Sequence, residues 1–216
     1  MDSDGTMSMR ALKWFMIGGV VGWAVASRSK PKRTLPEPLS LSSRFHSACI
    51  TLTVANASHD IWWFYKSEDT RDLDAMNEFP AFFLYDTEAH FRSMIVGLHS
   101  LFDEHPGTLS LKSLIHELDS SVAVPIWKRY AILGPAAKKV RSLRHNVIAH
   151  RNAAKSYDDL FREIELSQNE IKFMITGALE VLTLIANVIG APEPTTSPFV
   201  ISDIAGLIDR IKPEYS

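Results

Sequence analysis

The sequence predicts an all-α protein, and three observations lead to that fold class. Apolar residues recur at spacings of three and four over several long stretches, which is the period of an amphipathic helix. Serine and glycine residues stand at the ends of these stretches, where helices are capped. No stretch alternates apolar and polar residues in the way of a strand. We therefore expect a helical bundle, preceded by an N-terminal apolar helix and a linker.

The N-terminal segment, residues 1–29, contains a charge-free apolar run from Trp14 to Ser27 with basic residues on both sides. This run is shorter than the roughly 20 apolar residues that a bilayer-spanning helix needs. Three interpretations stay open: a weak membrane anchor over 11–27, a signal peptide cleaved near 24–26, and a start placed upstream of the true one. We favour the anchor. The heavier basic cluster follows the run, so the positive-inside rule predicts a cytoplasmic body tethered to the inner face of the membrane.

Residues 30–43 are predicted to be a linker, because Pro, Ser and charged residues leave too little apolar content to pack. The folded domain is then expected over 44–216. The apolar period predicts long helices at roughly 45–68, 79–103, 136–153 and 168–189.

Local signals define the boundaries between these helices. Residues 69–78 are charged and predict a break, and Ser110 is placed to cap a short helix ending near Leu118. Pro125 is expected to begin the next helix, which Gly134-Pro135 should kink or divide. The last long helix should open with a capping box at Ser167-Gln168-Asn169-Glu170 and end at Gly190, and a short helix should follow at about 201–212.

The core is expected to be rich in aromatic side chains. The predicted core face of the first helix consists of Ile50, Val54, Ala57, Ile61 and Phe64. The aromatic residues assigned to the core by their helical spacing are Trp62, Trp63, Phe82, Phe83 and Phe91.

Positive charge is concentrated in one stretch of the chain. Residues 125–157 contain eight Lys or Arg and no Asp or Glu, although the protein has a formal charge of −2. Removing those eight from the 23 basic residues leaves 15 against 25 acidic residues. A basic face on an otherwise acidic protein favours a polyanionic partner, and a solvated helix face is the alternative.

Several enzyme classes lack support in this sequence. It contains no Gly-rich phosphate loop, no metal-binding pair of histidines on a helix and no serine nucleophile elbow, and the single cysteine excludes a multi-cysteine zinc site. We therefore predict no cofactor and no metal.

The stretch Arg144-His145-Asn146-Val147-Ile148-Ala149-His150-Arg151 resembles the motif of HEPN proteins, helical bundles in which an Arg and a His are separated by four to six residues. Two further features are similar to the abortive-infection AbiU branch of that superfamily: the helical region upstream of the motif, with Leu101-Phe102-Asp103 followed by Leu109-Ser110-Leu111, and the tripeptide Ala149-His150-Arg151. The resemblance implies a homodimeric bundle and, in active members, metal-independent cleavage of RNA.

The resemblance makes Arg144 and His150 the candidate catalytic residues. An imidazole with a reference pKa of about 6.5 can give and take protons near neutrality, and an arginine can stabilise charge on a phosphate. His145 and Asn146 are predicted to support them. On a straight α-helix the side chains of Arg144 and His150 would point about 120° apart. The predicted RNA-backbone contacts are Lys138, Lys139, Arg141, Arg151 and Lys155. Arg92 and His99 form a second pair at an allowed spacing.

Two functions follow from these patterns. The first is an endoribonuclease of defence or toxin type that cleaves RNA through the Arg-His pair, with an antitoxin or another defence-system component as a partner. The second is a catalytically silent HEPN module that dimerises, or binds RNA or a protein, through the same basic face.

Overall fold

The computed structural model describes residues 39–67, 72–149, 162–196 and 200–211. The chain divides into two compact units, Met1–Glu37 and Pro38–Ser216, and every described residue belongs to the second. The predicted N-terminal helix and residues 30–38 of the predicted linker lie outside the described residues.

Every regular element in the described ranges is helical, which confirms the all-α class. The elements in chain order are α1 (Leu41–Lys66), α2 (Leu73–Glu78), α3 (Pro80–Leu101), α4 (Leu111–Ile115), α5 (Ser120–Ile132), α6 (Gly134–Leu143), a π-helix (Arg144–Ala149), α7 (Gln168–Ile189) and α8 (Val200–Ile211).

Local capping chemistry explains the boundaries that were predicted correctly. Ser110 caps α4, and the Ser167 hydroxyl accepts a hydrogen bond from the Glu170 amide (3.2 Å) while the Glu170 carboxylate accepts one from the Ser167 amide (2.8 Å). Gly190 ends α7 in the left-handed conformation, with φ of 67°. A helix boundary also falls at Gly134, between α5 and α6, as the Gly-Pro pair predicted.

Three predicted boundaries were wrong, and a side-chain cap explains each difference. Helix α1 begins at Leu41, inside the predicted linker, because the Ser40 hydroxyl caps it. The predicted break at 69–78 contains α2, capped by Asp72. Helix α5 begins at Ser120 after the Asp119 cap, so Pro125 lies within it.

The core lies where α1, α3, α5 and α6 surround the apolar face of α7. Leu133, at the junction of α5 and α6, is fully buried and packs so closely on Gly177 that a side chain there would collide with it. Among the residues that the structure describes, α7 is the single helix long and apolar enough to cross a membrane, and half of its most apolar window is buried inside the bundle. These properties are those of a core helix.

The core face predicted for α1 was partly wrong. Ile50 and Val54 are 52% and 49% exposed, and the buried face instead carries Phe45, Ala48, Leu52 and Ala55. The stripe continues with polar residues, including His59, which is hydrogen-bonded to Asp60 (2.9 Å) and Gln168 (3.3 Å). The sequence pattern missed this face because small and polar residues pack where α1 meets α3 and α7.

The predicted aromatic core divides between buried and exposed positions. Phe83 and Phe91 are buried, and Trp62 is partly buried against the core, as predicted. Trp63 and Phe82 are 39% and 56% exposed, so their assignment to the core was wrong. Each stands next to a residue that is more buried, and adjacent positions on a helix point in different directions.

Candidate functional site

The predicted motif begins in a π-helix. Arg144–Ala149 continue directly from the α-helical turn that ends at Leu143, and the wider hydrogen-bonding pattern of this segment replaces α-helical geometry. The separation of about 120° therefore does not apply, since it assumed a straight α-helix. His150, the predicted proton-transfer residue, lies outside the described residues, as do Arg151 and Lys155. π-helical turns are rare and often occur at functional sites.

Buried leucine and valine side chains position α6 and the π-helix against α3. Val140 and Leu143 are fully buried on one side of this contact, and Leu98 and Leu101 are buried on the other. The side-chain amide of Asn146 donates to the Ser142 carbonyl (2.9 Å) and to its hydroxyl (3.3 Å), one turn earlier. Asn146 therefore ties the π-helix to α6 through its NH2 group.

Several basic side chains of the stretch are paired with acidic residues from other parts of the chain. Lys139 donates to the Glu170 carboxylate (2.7 Å) and to the Glu165 carbonyl (2.8 Å). Arg141 pairs with Glu104 (3.0 Å), which follows α3. The segment that lacks acidic residues in sequence is therefore supplied with them by the fold.

The earlier part of the stretch is also engaged. Arg129 pairs with Glu180 and lies 5.7 Å from the centre of the Phe173 ring, so it fastens α5 to α7. Lys138 is exposed on α6, beside the paired Lys139. His145 is also exposed, at the second position of the π-helix.

The ion pair of Lys139 changes the ionisation of its partner. The hydrogen bond from Lys139 is the largest cause that lowers the pKa of Glu170, and the Ser167 backbone amide adds to it. Glu170 thus combines two roles, since it completes the cap of α7 and holds α6 against the start of that helix.

Arg144 has a different charged environment from its neighbours. No described acidic residue forms an ion pair with it. Its charge instead acts on His99, a half-buried residue in the last turn of α3. Burial is the largest cause that lowers the pKa of His99; the positive charges of Arg144 and Arg141 lower it further, and Asp103 opposes them. Burial and the two arginines therefore favour the neutral form of the His99 imidazole.

His99 was not among the predicted site residues, although its spacing from Arg92 was visible in the sequence. The structure does not use that spacing. Arg92 pairs with Glu88 (2.6 Å) one turn earlier on α3, and His99 is instead influenced by two arginines from α6 and the π-helix.

The surroundings of the Arg141–Glu104 pair include an aromatic stack and a cavity. Tyr130 stacks on Phe102, with ring centres 5.7 Å apart, and burial raises the pKa of its hydroxyl, with a smaller contribution from Glu104. A cavity of about 1060 Å³ opens beside Asp103 and Glu104. Its wall carries both basic and acidic side chains, including Arg44 and Lys112. This mixture of charges does not by itself form an anion site.

Within the described ranges, no group of three or more His, Cys, Asp or Glu side chains is arranged to hold a metal ion. The charged and titratable groups in the described part of the site include the guanidinium of Arg144, the imidazole of His99 and the ion pair between Arg141 and Glu104.

The chain matches the model of a known protein family. The family model HEPN_AbiU2, described as AbiU2, matches residues 40–204, which is most of the chain and all of the helices from α1 to α7. No curated protein and no solved structure matches significantly.

Proposed function

Because the chain belongs to the AbiU2 family of HEPN domains, a module related to abortive infection, we propose that it is a metal-independent endoribonuclease of defence or toxin type. The setting of Arg144 supports the proposal independently of the family. Arg144 lies in a π-helix and has no acidic ion-pair partner among the described residues, and its positive charge lowers the pKa of His99. An arginine already neutralised by a carboxylate would be less able to stabilise a phosphate.

The proposed reaction is cleavage of the RNA backbone by its own 2′-hydroxyl. The 2′-oxygen attacks the adjacent phosphorus, the 5′-oxygen leaves, and a 2′,3′-cyclic phosphate remains. Arg144 stabilises the negative charge that grows on the phosphate oxygens, and His150 transfers protons. His145 and Asn146 support the two residues, with Asn146 holding the π-helix on Ser142.

The remaining basic residues are proposed to hold the RNA backbone. Lys138 is exposed, and the pair between Arg141 and Glu104 is at the surface, where such pairs contribute only about 0–1 kcal/mol. A phosphate can therefore replace Glu104 at little cost. Lys139 contributes less, because its ammonium already has two partners. Arg151 and Lys155 complete the proposed set.

Assembly is part of the proposal. Two copies that face each other would bring two motifs to one shared cleft, as the family resemblance implies. An antitoxin or another defence component would restrain the activity, and residues 11–27 would tether the protein to the inner face of the membrane.

Cleavage of a defined RNA oligonucleotide by the full-length chain tests the function. We expect cleavage that persists in EDTA, products that end in a cyclic phosphate, and no cleavage at a position where one 2′-deoxynucleotide replaces a ribonucleotide. Cleavage that stops in EDTA and returns with a divalent cation would contradict the metal-independent reaction.

A silent binding module is the second candidate, and the internal ion pairs favour it. Arg129, Lys139 and Arg141 all have acidic partners within the fold, which leaves less free positive charge than the sequence suggests. If the protein binds RNA with a salt-dependent affinity and leaves it intact under all conditions, this second function is correct.

A further inference from the structure

An apolar groove of about 430 Å³ lies between the end of α1, helix α2 and the beginning of α3. The large apolar side chains on its wall include Trp62 of α1, Leu73 and Met76 of α2, and Leu84 and Phe91 of α3. No described residue of the basic stretch lines the groove, so an inference about it does not depend on the proposed function.

The groove contains the uncovered end of the core-facing stripe of α3. Leu84, Phe91 and Leu98 are spaced seven residues apart, which places them on one face of the helix. Leu98 is fully buried and Phe91 is 4% exposed, whereas Leu84 is 68% exposed. Leu73, which lines the same groove, is 52% exposed. This part of the stripe therefore has no partner helix among the described residues.

The same corner of the bundle already holds one amphipathic helix. Helix α8 buries Ile208 in a small apolar cluster that includes Tyr65 and Phe83. Tyr65 and Phe83 also line the groove, so the groove continues the surface on which α8 lies. A further helix suits this groove, because a helix pairs its own backbone groups, and the elements described around the groove offer no strand edge to an extended peptide.

The charge beside the groove is mainly negative. Residues 72–89 contain five Asp or Glu and no Lys or Arg. Asp74 and Glu78 are exposed on α2, each adjacent in sequence to a residue that lines the groove, and neither forms an ion pair with a described residue. Glu88 also lines the groove and is paired within α3, and Lys66 is the single Lys or Arg among the described lining residues. These charges favour a partner that carries positive charge beside its apolar face.

We propose that the groove is the docking site for a helix of a protein partner. The helix has apolar side chains at helical spacing on the face that enters the groove, and Lys or Arg along the edge that meets α2. Two other occupants suit the charges less well. A two-fold contact between copies through this groove would bring Asp74 and Glu78 of both copies into one interface. An anionic membrane surface would meet the same carboxylates.

Two synthetic peptides test the chemistry of the occupant on the full-length protein. Each has about 18 residues, or five helical turns, with leucines at helical spacing on one face and a fluorescein label. One peptide has Lys at its other positions, and the second has Glu. We expect the Lys peptide to bind more tightly in fluorescence anisotropy. In a variant with Asp74→Lys and Glu78→Lys, the affinity for the Lys peptide should fall about tenfold and that for the Glu peptide should rise. Equal affinities that do not respond to this variant would overturn the basic partner.

Neutral substitutions show whether the Lys peptide binds in the groove. Leu84→Ser and Leu73→Ser should each weaken its binding by about tenfold, because each removes an apolar side chain from the contact. The matched control is Val124→Ser on α5, since Val124 is 52% exposed, as Leu73 is, and lies outside the groove. If the two leucine variants bind as the wild type does, or the control weakens binding equally, the groove is not the binding site.

Sedimentation and lipid binding distinguish a partner helix from the other two occupants. Leu84→Ser should leave the association state of the protein unchanged in analytical ultracentrifugation, and should leave its binding to phosphatidylcholine–phosphatidylserine vesicles unchanged. If Leu84→Ser dissociates an oligomer that the wild type forms, a second copy occupies the groove. If it abolishes binding to the vesicles, a bilayer does. Either result would overturn the proposal of a partner helix.

Discussion

The basic stretch has two parts, α6 and the π-helix, and the positive side chains of these two parts differ in their acidic partners. In α6, Lys139 and Arg141 reach acidic residues that come from α7 and from the end of α3. In the π-helix, Arg144 has no acidic ion-pair partner among the described residues and acts on His99. The cations of the first half take part in contacts between helices, whereas the guanidinium of Arg144 has no carboxylate partner among the described residues.

This contrast shows that a run of positive residues has no single meaning. The run contains no acidic residue, but acidic residues from other parts of the fold pair with its cations. Part of the positive charge of α6 therefore forms contacts between helices. Arg144, at the point where the α-helix changes to a π-helix, has no such acidic partner among the described residues.

The largest expected effect comes from removing the charge in the π-helix. Arg144→Ala should lower RNA cleavage by about 10²- to 10³-fold, because loss of a donor that stabilises transition-state charge has that cost. Lys139→Ala is the comparison in α6 and should lose far less of the rate, since its ammonium is held by the Glu170 carboxylate and the Glu165 carbonyl. Initial rates on one RNA substrate measure both. Equal losses in the two variants would erase the difference between the halves.

Removing the packing that seats α6 should have the next largest effect. Leu133→Ala is expected to lower the free energy of unfolding by about 2–5 kcal/mol, because Leu133 is fully buried against Gly177. The adjacent Ile132 is 56% exposed, so Ile132→Ala should change stability by only about 0.5 kcal/mol. Urea unfolding followed by circular dichroism compares them. A small loss in Leu133→Ala would show that this junction does not anchor α6.

Sequence could predict the parts of the fold that depend on neighbouring residues. The capping box of Ser167 and Glu170 and the left-handed Gly190 need only a few adjacent positions, and both are present in the structure. The exposed Ile50 and Val54 were misassigned, because the face that α1 buries depends on α3 and α7. Apolar period shows that a helix has a buried side but does not always show which side.

The candidate site shows the same limit more strongly. Arg144 was identified from a local motif, and its catalytic role stays a prediction. The partners of the other cations were not visible, since Lys139 and Glu170 are 31 residues apart in sequence. His99 was paired by spacing with Arg92, and only the contact of α3 with the π-helix relates it to Arg144.

A smaller effect is expected from the ion pair that holds α6 to α7. Glu170→Gln keeps the capping group and removes the charge, so stability should fall by no more than about 1 kcal/mol. Glu170→Ala also removes one side of the cap and should cost about 0.5–2 kcal/mol.

The lowered pKa of Glu170 means that its charge stabilises the fold above the unfolded pKa, and this contribution is lost as pH falls through the folded pKa. Thermal unfolding between pH 3 and 7 should therefore show a smaller acid-induced loss in Glu170→Gln than in the wild type. An equal acid-induced loss in both proteins would show that the Lys139–Glu170 ion pair does not stabilise the contact between α6 and α7.

The smallest effect should distinguish two adjacent lysines within α6 itself. Lys138 is exposed, while Lys139 is held by Glu170 and by the Glu165 carbonyl. Each phosphate contact with single-stranded RNA contributes a slope of about −0.7 to log K against log salt, because binding releases condensed counterions. Lys138→Ala should therefore flatten the salt dependence of RNA binding by about that amount, with little change in stability. Lys139→Ala should change the slope less and lower the free energy of unfolding instead, since its charge is already used within the fold.

Fluorescence anisotropy with a 2′-deoxy oligonucleotide, which cannot be cleaved, gives the slopes, and urea unfolding gives the stabilities. If Lys139→Ala flattens the slope as much as Lys138→Ala and leaves stability unchanged, RNA displaces Glu170 from Lys139, and α6 belongs to the binding surface as fully as the π-helix does.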